Sequence, residues 1–185
     1  LRYCDLFPEA NIYSFEPFPD AVKKIKENTA RYSKVMVFEK AFSNIEQESI
    51  FHINTSDATN SLLNSNKTDS WIDGATETKH SIIVQTDTID NFCKMKNIES
   101  IDILKLDVQG AELLVLEGAA HMLENKKINM IYTEVEFIEI YKGQPLFHEI
   151  TSFLSAYNYQ LFGLHTAHKF DNGQLAWGDA IYLKK

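Results

Sequence analysis

An α/β fold on a largely parallel sheet is what this chain predicts, and three observations carry that prediction. Strand-like apolar runs alternate with stretches whose apolar residues recur at helical spacing. The run Ile101 to Leu106 ends in Asp107, turns at Gly110 and restarts as a helical pattern, as a buried strand feeding a helix does. No internal repeat and no interdomain linker breaks the 185 residues, so one domain is expected.

The elements come in this order. Residues 1 to 9 read as the tail of a helix or loop closed by Pro8, and Asn11 to Phe15 as a short strand ended by Glu16-Pro17. Pro19 and Asp20 open a helix over 20 to 32, with Val22 and Ile25 on one face and Asp20 as the expected N-cap. Lys34 to Phe42 and Glu48 to Ile53 predict the second and third strands. Residues 55 to 80 are rich in Ser, Thr, Asn and Asp and predict a long polar loop, a segment that is functional or disordered in most domains. Ser81 to Thr86 is strand-like, and Thr88 to Met95 a short helix. A strand at 101 to 107, a helix from 111 to 124 and a strand at 128 to 135 come next. A helix at 146 to 157 and strands at Tyr159 to Leu164 and Ala180 to Leu183 complete the pattern.

Charge and composition exclude several classes. With 26 acidic against 18 basic residues and a net charge of -8, no basic stripe is available to track phosphates, so nucleic acid is not an expected partner. No apolar run reaches the roughly 18 residues of a membrane span, and no signal peptide is visible. The two cysteines, Cys4 and Cys93, have no metal spacing and no disulfide framework, which predicts a reducing, cytoplasmic setting. The chain opens on Leu1 with a strand close behind, which predicts a start inside a domain.

Carboxylates dominate the candidate chemistry. Glu16 ends the first strand, where an acid accepts hydrogen bonds from ribose hydroxyls or stabilises the following helix through its dipole. Pro17 makes that corner rigid. Asp107 ends a strand and either orients a ligand, acts as a base, or caps the next helix. Glu112, in the first turn of that helix, is ordinary electrostatics or part of the same floor. Gly110 permits a tight turn or a close approach to a ligand. Glu134 and Glu136 flank Val135 and share a strand face. Lys105, inside an apolar run, needs either a carboxylate partner or a route to solvent. His165 and His168, three residues apart outside a clear helix, are weak evidence for a metal and read as surface or base-adjacent histidines, and Trp71 either stacks on a substrate or anchors the polar loop. No phosphate-binding glycine loop and no Ser/His/Asp set is present, and no metal site is assigned.

The segment from Leu104 to Ala119, reading Leu-Lys-Leu-Asp-Val-Gln-Gly-Ala-Glu-Leu-Leu-Val-Leu-Glu-Gly-Ala, resembles the signature of the FkbM family of methyltransferases. Tyr13 to Pro19, Asn28, Ala41 to Ser43, Thr86 to Asp90 and Gly178 to Ile181 also resemble family segments, so the likeness runs over nearly the whole chain. It implies a Rossmann-like class I methyltransferase fold, with a mostly parallel sheet and an antiparallel closing strand. The implied cofactor is S-adenosylmethionine, and the implied acceptor a hydroxyl on a small molecule, sugar or glycan. By the same resemblance Glu16 binds the ribose, Ser43 lies near the adenine, and Asp107 sits by the methionine portion or the reacting centre. Glu112 shapes that floor, and Glu134 approaches from the next strand. Gln109 departs from the family, where many members carry Glu. The family's first central strand and its glycine loop are not among these residues, which implies a longer native protein.

The expected mechanism is in-line methyl transfer to oxygen with a general base, for which Asp107, Glu134 and His165 are candidates in that order. The rivals are a non-catalytic cofactor-binding or interaction module, and a metal-dependent hydrolase using Asp107, Glu112, Glu134 and Glu136.

Overall fold

The computed structural model describes residues 2–67 and 72–185. Its first unit comprises α1 (Arg2–Leu6), β1 (Ile12–Phe15), α2 (Pro19–Thr29) and β2 (Val35–Phe38). β1 and β2 pair in parallel, from Ile12 opposite Val35 to Phe15 opposite Phe38. Pro19 supplies the fixed φ that starts α2, and Phe18 is its N-cap without a side-chain bond. Asp20 therefore stands in the first turn, where its charge meets the helix dipole, and is not the cap expected from the sequence.

The expected strand at 34 to 42 divides into β2 and β3 (Ala41–Phe42), which belong to different sheets. Lys40 is the turning point. Its N–H donates to Glu16 O and its ammonium lies 2.6 Å from the buried Asp87 carboxylate. β4 (Gln47–Asn54) and β5 (Thr78–Asp87) pair antiparallel, while β3 adds to β5 in parallel. The polar segment is less of a loop than its composition predicts. It holds a 3-10 turn, Asp57–Thr59, and a helix α3 (Ile72–Thr76), with isolated bridges His52 to Ser61 and Ser65 to Tyr141. Trp71 lies outside the described residues.

Thr88 caps α4 (Ile89–Lys96) by accepting from Asn91 N. Beyond it lie β6 (Ile101–Leu106), α5 (Glu112–Glu117), α6 (Ala120–Glu124), β7 (Ile128–Glu136), α7 (Phe147–Ala156), β8 (Tyr159–Lys169) and β9 (Leu175–Lys184). The sheet order is β6-β7-β9-β8. β6 and β7 are parallel, whereas β9 runs antiparallel to both of its neighbours. Antiparallel pairing is thus more extensive than parallel, against the mostly parallel sheet with a single antiparallel closing strand expected from the sequence. One face of this sheet carries Leu106, Ile131, Val135, Ala180 and Tyr182 into the main core, against Val115, Leu116, Leu123, Ile150 and Leu154 of the helices. Each such side chain contributes roughly 1.5–3 kcal/mol by leaving water. β1 is hydrogen-bonded on one side by β2, and β6 on one side by β7. A cluster of rings, Phe15, Phe38 and Phe42 around Phe92 of α4, joins the first unit to the helices.

The helix expected over 111 to 124 breaks at Gly118. Asp90 accepts the N–H groups of His121 and Met122 at 2.8 and 3.0 Å, so the second half has its own N-terminal partner. A Cβ on Gly118 would stand 2.1 Å from the carbonyl oxygen of Ser43, a contact that only glycine permits. Gly118→Ala is therefore expected to cost about 2–4 kcal/mol by driving α5 off the β3 end. Urea unfolding measures that loss, and a change within about 0.5 kcal/mol would contradict the contact.

Candidate active site

The parallel pairing of β6 with β7 fixes which acids meet. Lys105 lies opposite Tyr132 and Leu106 opposite Thr133, so Asp107 emerges beside Glu134 at the strand ends. Gln109 joins them: its amide nitrogen lies 3.0 Å from Asp107 Oδ1 and 2.7 Å from Glu134 Oε2. Its own carbonyl oxygen accepts from the Tyr141 hydroxyl at 3.0 Å, and its backbone oxygen from the Ser61 hydroxyl at 2.6 Å. Gln109 sits at φ 53, a left-handed conformation rare for a residue with a Cβ, held by these four contacts. A glutamate in its place would aim a third charge at two carboxylates.

Gly110 comes next at φ 93, and a Cβ there would be 3.0 Å from the Tyr141 ring. The close approach expected of this glycine is thus to the chain itself. It lets Glu112 begin α5 with Val108 N–H donating 3.0 Å to its Oε1. Asp107 does not cap this helix; Ala111 occupies the cap without a side-chain bond. Lys105 finds a carboxylate, 3.2 Å from Asp107, and lies over the Tyr132 ring.

Glu112 and Glu136 are 0% and 2% exposed, Glu134 is partly buried, and Asp107 keeps 58% of its side chain in solvent. Burial pushes the Glu112 carboxyl up to about 7, against the opposing N–H bonds from Val108 and Gly110. Glu134 is raised to about 8, by burial first and then by Asp107 and Glu112, with Lys105 opposing. Glu136 stands well above its ordinary value through burial and the neighbouring acids.

The second acidic corner is Glu16, after β1. Its Oε1 accepts from Phe18 N at 2.8 Å, and burial, followed by the charge of Asp57, raises its carboxyl against that bond. Asp57 opens the 3-10 turn whose Thr59 carbonyl lies 3.0 Å from the Tyr141 hydroxyl. Since that hydroxyl also reaches Gln109, the turn is joined to the Asp107 corner. The same stretch is pinned further by Asn66 N to Ile140 O and Lys142 N to Asn64 O, both 2.8 Å.

Asp107, Gly110, Glu112, Glu134 and Glu136 therefore converge. Ser43 is buried elsewhere, its N–H on Asp87 O, its hydroxyl 3.4 Å from Asn44, its carbonyl against Gly118. Pro17 lies between Glu16 and Phe18, outside the carboxylate cluster. His165 is exposed on β8, opposite Asp179 of β9, which in turn lies opposite Glu134. Two interstrand spacings put it roughly 10 Å from the Glu134 backbone. His168 stacks on Trp177, ring centroids 4.6 Å apart. Sequence reasoning missed Tyr141 and Gln144, whose side-chain oxygen takes the N–H groups of Ile140 and Tyr141. The Lys-Gly-Gln turn after Tyr141 was their only trace.

Comparison with known proteins gives three matches. The methyltransferase FkbM domain family matches residues 2–161. The 2-O-methyltransferase NoeI of Sinorhizobium fredii (strain NBRC 101917 / NGR234) is 32% identical over 155 residues, covering 77% of this chain. The chain spans 60% of that relative's length. The crystal structure of methyltransferase FkbM from Methylobacillus flagellatus KT superposes with a TM-score of 0.56 at 16% identity, over 94% of this chain and 36% of that one. That structure bears on the fold alone.

The raised carboxyls set a direction for stability against pH. Glu112 and Glu134 bind protons in the folded chain up to about 7 and about 8, whereas the unfolded chain releases them near 4.5. The contribution of these two acids to stability is therefore fully present below the unfolded value and is lost as pH rises to about 8, a loss of several kcal/mol. Urea titrations in chelator-treated buffer from about pH 5 to about 8.5 test this, and Glu112→Gln should flatten the slope. A stability that climbs over that range would contradict the burial argument.

Proposed function

The chain belongs to the FkbM methyltransferase family, and from that premise we propose that it transfers methyl from S-adenosylmethionine to a hydroxyl of a sugar, glycan or other small molecule. The observation that carries the reading is the pair of acidic corners, Glu16 after β1 and Asp107 after β6, each at the end of a strand in a parallel pair. The 2-O-methyl chemistry in the name of the NoeI relative supports an oxygen acceptor.

The residues present fit the cofactor. Glu16 Oε1 is engaged by Phe18, which leaves Oε2 for the ribose hydroxyls, and Pro17 holds the corner. Ser43 takes the adenine side, its hydroxyl only weakly engaged at 3.4 Å. Asp107 and the Gly110 turn, floored by Glu112, receive the methionine portion. When bound, S-adenosylmethionine supplies an electrophilic methyl on a sulfonium. β1 and β6, each paired with a strand on one side, are read as flanking one further parallel strand, which gives the sheet of a class I methyltransferase.

Asp107 is the general base in this reading, because it is the acid of the group that solvent, and hence an acceptor, reaches. Glu134, tied to it by Gln109, is second; His165, two strands away, is third. Alignment of acceptor and methyl carries most of the rate, and the base contributes on the order of 100-fold. No helix among the described residues is long and apolar enough to cross a membrane. Cys4 and Cys93 are buried free thiols, in keeping with a cytoplasmic enzyme of one methyltransferase-like unit.

The test uses the full-length protein, labelled S-adenosylmethionine and a panel of glycan and small-molecule alcohols. Glu16→Ala should weaken cofactor binding about tenfold or more, as loss of charged hydrogen bonds does. Asp107→Asn should lower kcat about 100-fold. Unchanged cofactor affinity in Glu16→Ala, or unchanged kcat in Asp107→Asn, would remove the corresponding assignment.

A further inference from the structure

Three glutamates meet where the described residues offer them no counter-charge. Glu112 at the start of α5 and Glu134 and Glu136, two apart on one face of β7, each present a carboxylate oxygen, and the three oxygens lie within 4.8 Å of one another. Glu112 Oε2 and Glu136 Oε2 are buried and have no hydrogen-bond partner among the described residues. Leaving one such oxygen unpaired costs about 1–3 kcal/mol, and more when it is charged. The nearby cation does not relieve them: the Lys105 ammonium is engaged 3.2 Å from Asp107 and 2.9 Å from Leu106 O. The Gln109 amide serves Glu134 and Asp107 only.

A small positive charge with several empty coordination positions would satisfy this arrangement. Oxygens bound to one ion at about 2.1–2.5 Å lie roughly 3–5 Å from each other, the spacing seen here. The donor set is all carboxylate, without His or Cys, which suits a hard cation and disfavours zinc or copper. The ligands stand on a strand and the first turn of a helix, so the site is rigid, and the partly exposed Glu134 leaves a way in.

We propose that Glu112, Glu134 and Glu136 bind one hard divalent cation, of the Mg2+, Mn2+ or Ca2+ class, in the floor beneath Asp107. The ion takes the place of the protons these acids otherwise hold and takes up the two unpartnered oxygens. Asp107 stays outside the coordination shell and keeps its place facing the acceptor. Binding of the ion does not depend on the methyl-transfer reading. Its use there, to hold the acceptor oxygen beside Asp107, does rest on that reading.

The experiment separates the two. Chelator-stripped full-length protein is titrated with Mn2+ and followed by the electron paramagnetic resonance of the free ion, without cofactor or acceptor. Thermal unfolding is then compared in EDTA and in Mg2+, Mn2+ or Ca2+. One ion per chain with a dissociation constant of about 1 mM or tighter is expected, with a raised unfolding midpoint. Glu136→Gln should weaken binding at least about tenfold, yet in EDTA should unfold at or above the wild-type midpoint, because it removes a buried acid oxygen that has no partner among the described residues. Should Glu136→Gln not fold, Glu134→Gln, at the more exposed position, is read in its place. No ion bound at about 10 mM, or equal binding by the variant, overturns the proposal and leaves shared protons as the account of the cluster. An ion that binds while methyl transfer is indifferent to EDTA upholds the site and removes only its role in the reaction.

Discussion

Burial of three carboxylates beside the exposed Asp107, at the ends of two paired parallel strands, is the constraint on which the rest of the site depends. The β6–β7 register brings Asp107 to Glu134, and α5 must begin at Glu112 for the third acid to arrive. Gln109 then adopts a left-handed backbone so that one amide nitrogen faces both Asp107 and Glu134. Tyr141 fixes which end of that amide points where, since its hydroxyl reaches the Gln109 side-chain oxygen. Gly110 is small because Tyr141 is there. Each of these residues takes its conformation from the contacts that gather the acids at one place. Such a site is held against stability, as functional sites commonly are.

Much of this was legible in the sequence where a local rule and a distant requirement agree. The apolar run closing on Asp107 and Gly110 reads as strand and turn because nothing else competes for those residues. The same holds for β1 ending at Glu16, for β7, and for α4. Legibility fails where two parts of the chain must meet. Lys34 to Phe42 is one β-favouring run, but Lys40 is claimed by Asp87, so the run splits between two sheets. The stretch from Ala111 to Glu124 has uninterrupted helical periodicity, but Gly118 rests on the Ser43 carbonyl and Asp90 caps the helix beyond it. Tyr141 could not have been found from periodicity, because its role comes from Thr59, Gln109 and Gln144, none of them its neighbours on a common element.

The polar segment shows the same limit from the other side. Its Ser, Thr and Asn residues read as a solvated loop, yet they are used inward. Asn54 and Asn60 bond to each other's neighbourhood, Ser61 donates to Gln109, and Thr59 meets both Ala75 and Tyr141. Composition cannot distinguish polar groups that face water from polar groups that satisfy a buried backbone. In this chain the second use ties the β4–β5 sheet to the acidic floor.

The three ladders have a consequence for how the chain acquires its shape. β1 with β2, β4 with β5, and β8 with β9 each join stretches that lie close together in the sequence. Loop-closure cost grows only slowly with length, so each sheet can nucleate from these sequence-adjacent pairings before the others exist. The late step is then the seating of the Gly118 bend on the Ser43 carbonyl, together with the meeting of the phenylalanine rings around Phe92. Those contacts are non-directional or purely steric. Assembly is therefore expected to pass through preformed pieces that come to rest against one another, with the charged floor sealed last.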